Sequence, residues 1–298
     1  MPGAGHQVAR DQFVGTGAAR LYVRDVGHGV PIVVVHGGPD FDHEYLVPEL
    51  DDLAAAFHLV YYDQRGRGRS FSGRAPTDVS ITTEVDDLDR VRDRFGFGSV
   101  ALLGHSWGSL LAMEYAIRLP HRVTHLILMN TAPASHAGRL VFRRALESGR
   151  SNEESERMAA LRSDPRYRAG DVDADLEWYR LHFASAVGER EQLERLIRRL
   201  RSAFTGDGIL VARAIEGRLY EQTWDAEDYD LLPELHRLRV PSLVIHGDKD
   251  LVPVAVARGI ADAIPGSRFV LLRDCGHFAY LERPDEVRRY IAALLPPA

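Results

Sequence analysis

The sequence predicts an α/β fold, a mostly parallel central sheet flanked by helices, with a helical cap inserted between two of the strands. Three observations carry this reading. Short apolar, β-branched runs alternate with longer helix-period segments along much of the chain. The segment Gly104-His105-Ser106-Trp107-Gly108 joins one such run directly to a helical pattern. Residues 134–235 then interrupt the alternation with charged, helix-like stretches and no strand pattern. The chain thus reads as a core of residues 1–133 and 236–298 with residues 134–235 as its cap.

Taken in order, residues 12–26, with Gly15, Gly17 and Gly27, read as an antiparallel hairpin leading into the sheet. The strands that follow are 31–35 (PIVVV), 58–62 (HLVYY), 99–103 (SVALL), 123–129 (VTHLILM), 241–245 (PSLVI) and 268–272 (RFVLL). They lack polar alternation, as strands buried on both faces must. Helices are expected at 45–56, 82–95, 107–119, 254–264 and 284–294. Pro120 ends the third, because proline cannot extend the backbone ladder, and Pro284 suits the first turn of the last. Within the cap, 175–186 and 189–203 have helical patterns whose charges read as a solvated surface.

A chain of 298 residues with 45% hydrophobic content can bury one large core. A net charge of −6 offers no basic footprint, so nucleic acid is not an expected partner. Cys275 is the single cysteine, so no internal disulfide and no oxidising compartment are required. Residues 1–10 (MPGAGHQVAR) contain no apolar stretch of signal-peptide length, and no run approaches the ~18–20 apolar residues of a membrane span. The expectation is a cytoplasmic protein that acts without a membrane; its oligomeric state is left open.

The turn at 104–108 fits G-x-S-x-G, and its setting between SVALL and WGSLLAMEYAIRL is what gives it weight. A sharp strand-to-helix turn needs small residues on both sides, lifts the Ser106 hydroxyl out of the sheet, and sets it at a helix N-terminus. Ser109 lies inside that helix and reads as a packing residue. A serine needs a base to take its proton. His277, in Asp274-Cys275-Gly276-His277-Phe278 directly after the last strand, is placed for that role. His6, His28, His43, His58, His121, His125, His136, His182 and His236 lack such placement and read as surface or core residues. The orienting carboxylate is expected after the preceding strand, in His246-Gly247-Asp248-Lys249-Asp250. Asp250 is preferred because it precedes the apolar turn opening the next helix, while Asp248 reads as a turn stabiliser. Cys275 has no elbow of its own and reads as a small buried residue.

Acyl transfer also needs donors aimed at the oxygen that becomes negative. The N–H of Trp107, next to the serine, is one candidate, and the N–H of Gly38, in the loop His36-Gly37-Gly38-Pro39, is the other. His36 reads as a support of that loop. The order Ser106, Asp250, His277 is that of α/β-hydrolases. The loops His36-Gly37-Gly38-Pro39, Asp63-Gln64-Arg65-Gly66-Arg67-Gly68-Arg69-Ser70, Ser106-Trp107-Gly108-Ser109, Gly247-Asp248-Lys249-Asp250 and Gly276-His277 resemble the proline iminopeptidase (prolyl aminopeptidase) branch of that family. The resemblance spans the sheet and its loops and spares the cap.

That resemblance implies an α/β-hydrolase fold and release of a small N-terminal residue from a short peptide, with no metal and no cofactor. Two departures stand out. Asp40 follows His-Gly-Gly-Pro where the branch usually has glycine, and His105 replaces the second glycine before the serine. The family holds the substrate's amino group with cap carboxylates, for which Glu216 and Glu221, in RAIEGRLYEQTW, are candidates; by charge density both read first as solvated helix residues. The arginines of residues 63–70 read as a surface loop tied by Asp63, since the Gly-Lys-Ser/Thr ending of a phosphate loop is missing.

The function expected is therefore a serine hydrolase of a small amide or ester, foremost a proline iminopeptidase-like aminopeptidase. Alternatives are an esterase, lactonase or C–C hydrolase of a small metabolite, in which Trp178, Tyr179, Tyr220 and Trp224 could line an apolar pocket, or a hydrolase-like ligand-binding protein. Dehalogenase and epoxide hydrolase chemistry is disfavoured, because both need aspartate where this chain has Ser106.

Overall fold

The computed structural model describes residues 8–15, 20–73 and 78–295. Eight strands form one sheet: β1 (Arg10–Gly15), β2 (Arg20–Gly27), β3 (Val30–Val35), β4 (Phe57–Tyr62), β5 (Val100–His105), β6 (Val123–Met129), β7 (Ser242–Gly247) and β8 (Arg268–Leu272), in spatial order β1-β2-β4-β3-β5-β6-β7-β8. The first two strands pair antiparallel with their neighbours, as the hairpin reading expected, and every later pair is parallel. Gly17, assigned to the hairpin turn, lies outside the described residues, as does most of the N-terminal decapeptide.

The parallel strands are buried on both faces. Val33 and Val35 of β3 face one core cluster, while Ile32 and Val34 face the other. The first cluster is closed by α1 (Ile81–Arg94), α2 (Trp107–Arg118) and α10 (Val254–Ala263), the second by α12 (Pro284–Leu294) among others. Because β3 and β5 to β8 run parallel, their carboxyl ends open on one edge, and every loop singled out from sequence leaves the sheet there.

Between β6 and β7 the named elements are all helices: α3 (His136–Ser148), α4 (Asn152–Ser163), α5 (Pro165–Arg168), α6 (Val172–His182), α7 (Arg190–Ala203), α8 (Gly206–Glu221) and α9 (Leu232–Leu235). The two helical patterns read from sequence correspond to α6 and α7.

Two expectations are corrected. The helix expected at 45–56 is a pair of 3-10 turns, Glu44–Leu46 and Glu49–Ala55. Pro48 separates them, since it has no N–H to donate and pushes Val47 to extended backbone (φ −95°, ψ 150°). Two of the three arginines of 63–70 are not at the surface, and only Arg69 is exposed. Arg65 and Arg67 are only 2% and 1% exposed. Arg65 forks onto Asp87 at 2.7 and 2.8 Å, and Arg67 meets Glu84 at 2.8 and 3.0 Å. Asp87 and Glu84 both belong to α1, so these bonds fasten the loop after β4 to the helix beneath it. Asp63 ties the turn as expected, accepting from the N–H groups of Arg69 at 2.8 Å and His43 at 3.1 Å and pairing with the His43 imidazole at 2.6 Å.

Glu84→Ala should leave the Arg67 guanidinium buried and uncompensated, at a cost of about 3–5 kcal/mol in unfolding free energy. Urea denaturation measures this, and a loss below about 1 kcal/mol would show that the pair is not what fastens the loop.

Candidate active site

Ser106 sits between β5 and α2 with φ 53° and ψ −121°, one of few side-chain-bearing residues with positive φ. The flanking glycines are sterically required. A Cβ on Gly104 would stand 2.4 Å from the Gly108 carbonyl oxygen, and one on Gly108 would stand 2.0 Å from that of Val35. The turn is held by the Ser106 N–H donating to Met129 O at 3.1 Å. Ser109 donates its hydroxyl to Gly104 O at 2.7 Å and is buried, as a packing residue should be.

The Ser106 hydroxyl reaches His277 Nε2 at 3.0 Å, and His277 Nδ1 lies 2.8 Å from Asp250 Oδ1. Partners fix the tautomer: Nδ1–H donates to the carboxylate and Nε2 is left to accept from the serine. Asp250 also accepts from Asn130 Nδ2 and from the Val252 N–H, both at 2.8 Å. Burial alone would raise the Asp250 pKa, but His277, His246 and these hydrogen bonds outweigh it and hold the group well below the usual carboxylate range. Asp248 instead accepts from the Cys275 N–H at 3.3 Å and stands near Arg273, which fits a turn role.

Sequence reasoning missed Asn130. It follows β6 at φ 48°, and its amide ties three segments: Asp250, Gly276 O at 2.9 Å and the Ala279 N–H at 3.2 Å. The only signal was an asparagine at the end of an apolar strand, a residue that tolerates positive φ. Glu282 was missed as well. It accepts the Gly276 N–H at 3.1 Å and the Gly188 N–H at 3.0 Å, while the His277 N–H donates to Ala186 O at 2.7 Å. The histidine loop is thus braced by the segment between α6 and α7.

The loop after β3 passes beside the serine. Gly38 has φ +119°, and a Cβ there would meet the Asp40 N at 2.2 Å. Among the described residues, neither the Gly38 N–H nor the Trp107 N–H has a hydrogen-bond acceptor. His36 supports the loop, donating from Nδ1 to Gly37 O at 2.9 Å and accepting the Gln64 N–H on Nε2 at 3.0 Å. Full burial holds it neutral, its pKa lowered to about 3. His105, the departure from the family pattern, links three parts of the site. Its Nδ1 accepts from the Tyr45 hydroxyl at 2.7 Å, and its Nε2–H donates to His277 O at 2.9 Å. The Tyr45 oxygen in turn accepts the Gly37 N–H at 2.8 Å.

A cavity of about 580 Å³ opens over Ser106 and His277, walled largely by the inserted helices. Trp178, Tyr179, Tyr220 and Trp224 all line it. Glu216 lines it too, so the solvated reading of that residue is corrected: α8 packs it against the cavity, where it accepts from the Tyr220 hydroxyl at 2.7 Å. Burial raises its pKa, against the opposing pull of that hydrogen bond, Arg139 and Arg213. Glu221 is exposed and does not line the cavity, which corrects its standing as a substrate-binding candidate. Asp40 takes the second acidic place. It is raised to about 8 by burial and by Glu216, despite a hydrogen bond from the Tyr179 hydroxyl. No group of three or more His, Cys, Asp or Glu side chains among the described residues is placed to hold a metal ion. None of their helices is long and apolar enough to cross a membrane.

The fold has known relatives. Residues 30–284 match the family model for the alpha/beta hydrolase fold. A proline iminopeptidase of Saccharolobus solfataricus is 28% identical over 277 residues, covering 90% of this chain and 84% of its own. Among solved structures, a proline iminopeptidase from Mycobacterium smegmatis superposes with a TM-score of 0.72 at 24% identity, over 95% of this chain and 97% of that one. The enol-lactonase from Burkholderia xenovorans LB400 gives 0.70 at 23% identity, over 95% and 99%.

Cys275, two residues before His277, is fully buried, and burial pushes its thiol pKa well up. The native protein should therefore not react with a water-soluble disulfide reagent at pH 8, and should yield one thiol equivalent once unfolded. Rapid titration of the native protein would show that this loop opens.

Proposed function

The chain belongs to the α/β-hydrolase fold family, and from that premise we propose that it is a serine hydrolase in which Ser106, His277 and Asp250 form a catalytic triad acting as a proline iminopeptidase-like aminopeptidase. It is an enzyme, a hydrolase; the mechanism and the substrate are the proposal. In this reading residues 134–235 are the cap that shapes the substrate pocket.

Ser106 Oγ attacks the substrate carbonyl carbon while its proton passes to His277 Nε2. The carbonyl π electrons move onto oxygen, which takes up the free N–H groups of Trp107 and Gly38. Asp250 keeps the imidazole in the accepting tautomer and stabilises the imidazolium. As the tetrahedral intermediate collapses, the C–N bond breaks and His277 returns its proton to the leaving amine. A water molecule then repeats the sequence on the acyl-serine, restoring Ser106 and releasing the acid.

What carries the aminopeptidase reading is the pair Asp40 and Glu216, two carboxyl groups in the cavity that holds Ser106. An ammonium group beside them would offset the burial and the repulsion from Glu216 that together raise Asp40. The activity of the proline iminopeptidases that the chain resembles and the residues of the His-Gly-Gly-Pro loop point the same way. One observation favours an esterase or lactonase instead: with a pKa of about 8, Asp40 is mostly protonated at pH 7, which lowers the charge facing an ammonium.

Turnover of proline and alanine arylamides against simple aryl esters separates these readings. Arylamide cleavage is expected, with kcat lowered roughly 10⁴–10⁶-fold in Ser106→Ala while the fold is retained. Ester cleavage without arylamide cleavage would discard the aminopeptidase reading, and an active Ser106→Ala would discard the mechanism.

The acidic pair also sets a pH dependence. Asp40 is protonated below about 8 and ionised above it. Attraction for an ammonium therefore grows as pH rises towards 8, until the substrate's own amine, with a pKa of about 8, loses its proton. The kcat/KM for an alanine arylamide should rise to a maximum near pH 8. An uncharged ester should lack the step assigned to Asp40, and Asp40→Asn should remove it from the arylamide profile. Superimposable profiles for the two substrates would exclude the role.

A further inference from the structure

The cavity is lined by basic groups as well as acidic ones. Arg150, just beyond α3, and Arg162, on α4, both line it. They flank a stacked pair on α6: Trp178 and His182 lie with ring centroids 4.8 Å apart and planes 11° from parallel. The Arg162 guanidinium stands 5.7 Å from the Trp178 ring centroid, and Arg150 donates to His182 Nδ1 at 2.9 Å. His182 is a neutral acceptor. Burial, reinforced by the charges of Arg150, His277 and Arg162, lowers its pKa to about 3. His182 lines the same cavity as His277.

Neither arginine has a carboxylate oxygen within 4.0 Å among the described residues. Arg213, which also lines the cavity, is committed to Asp175, and Arg143 stands 3.9 Å from Glu147. Burial and the facing Arg162 lower the Arg150 pKa, against a weaker pull from Glu154 and Glu147. A half-buried guanidinium whose side-chain partner is a neutral ring keeps a positive charge that an anion can meet.

Resting on the aminopeptidase reading, we infer that Arg150 and Arg162 bind the C-terminal carboxylate of the substrate, so that the enzyme selects short peptides with a free C-terminus. The lining supports this: the carboxyl groups of Asp40 and Glu216 and the guanidinium groups of Arg150 and Arg162 share one cavity with Ser106. A zwitterionic di- or tripeptide carries a charge for each of these two kinds of group. At about 3.3–3.6 Å per residue, such a peptide is also of a size that a cavity of about 580 Å³ encloses. A long chain would have to carry its backbone past the arginines and place its carboxylate outside.

The test compares kcat/KM for a prolyl or alanyl dipeptide with that for its C-terminal amide. The free acid should be preferred by about tenfold or more, a ratio typical of one charge-assisted contact. Arg150→Gln should bring the acid-to-amide ratio towards one, and Arg162→Gln, at an exposed position, should lower it in the same direction. A wild-type ratio near one, or a ratio untouched by both substitutions, overturns the inference while arylamide turnover leaves the aminopeptidase reading intact. Calorimetry of the same acid and amide with Ser106→Ala protein gives a readout independent of turnover. Preferential binding of the acid supports the carboxylate site even if no amide is cleaved, in which case the aminopeptidase reading alone falls; equal binding removes the site.

Discussion

The backbone of Ser106, at φ 53° and ψ −121°, is a conformation that a residue with a side chain holds only when its surroundings force it, at a cost of order 1–3 kcal/mol. Here the force comes from β5, held in the sheet between β3 and β6, and from α2, packed against the sheet, which leave the turn no room to relax. Gly104 and Gly108 make that close approach possible. The reward is positional: the hydroxyl projects from the carboxyl edge of the sheet, beside a helix N-terminus, towards the loops that end β7 and β8.

Those loops are joined to one another as well as to the sheet. Asn130 holds the aspartate loop and the histidine loop in one amide, and Glu282 and Ala186 grip the histidine loop from the other side. Tyr45 and His105 run a second chain of hydrogen bonds from the loop after β3 to the backbone of His277. A histidine replacing glycine at position 105 is thus a brace, neutral because it is buried, and it explains how this chain departs from the usual pattern without loosening the site.

Much of this was legible in the sequence because a parallel sheet converts chain order into position. Once SVALL, PSLVI and RFVLL are read as parallel strands, Ser106, Asp250 and His277 must emerge on one edge, and the structure brings them within hydrogen-bond reach. What stayed hidden depended on partners distant in the chain. Arg65 and Arg67 look like surface residues until α1 supplies Asp87 and Glu84 beneath them. Glu216 and Glu221 look alike on paper, and only the packing of α8 turns one towards the cavity and the other towards solvent. Asp40 was visible as a departure from the family pattern, but its meaning required Tyr179 and Glu216 from helices far along the chain. The interrupted helix at 45–56 is a local failure, since Pro48 carried the signal in plain view.

The ionic contacts that fasten the loop after β4 have a further consequence in brine. Dissolved ions weaken attraction between charges that face water, with a screening distance of about 3 Å at 1 M salt, but they hardly reach partners enclosed by protein. Arg65 with Asp87, and Arg67 with Glu84, are enclosed in this way, while pairs such as Arg237 with Glu234 are open to solvent. Concentrated salt would therefore strip the outer charges of influence and leave the two enclosed pairs that hold the loop after β4 to α1 almost untouched.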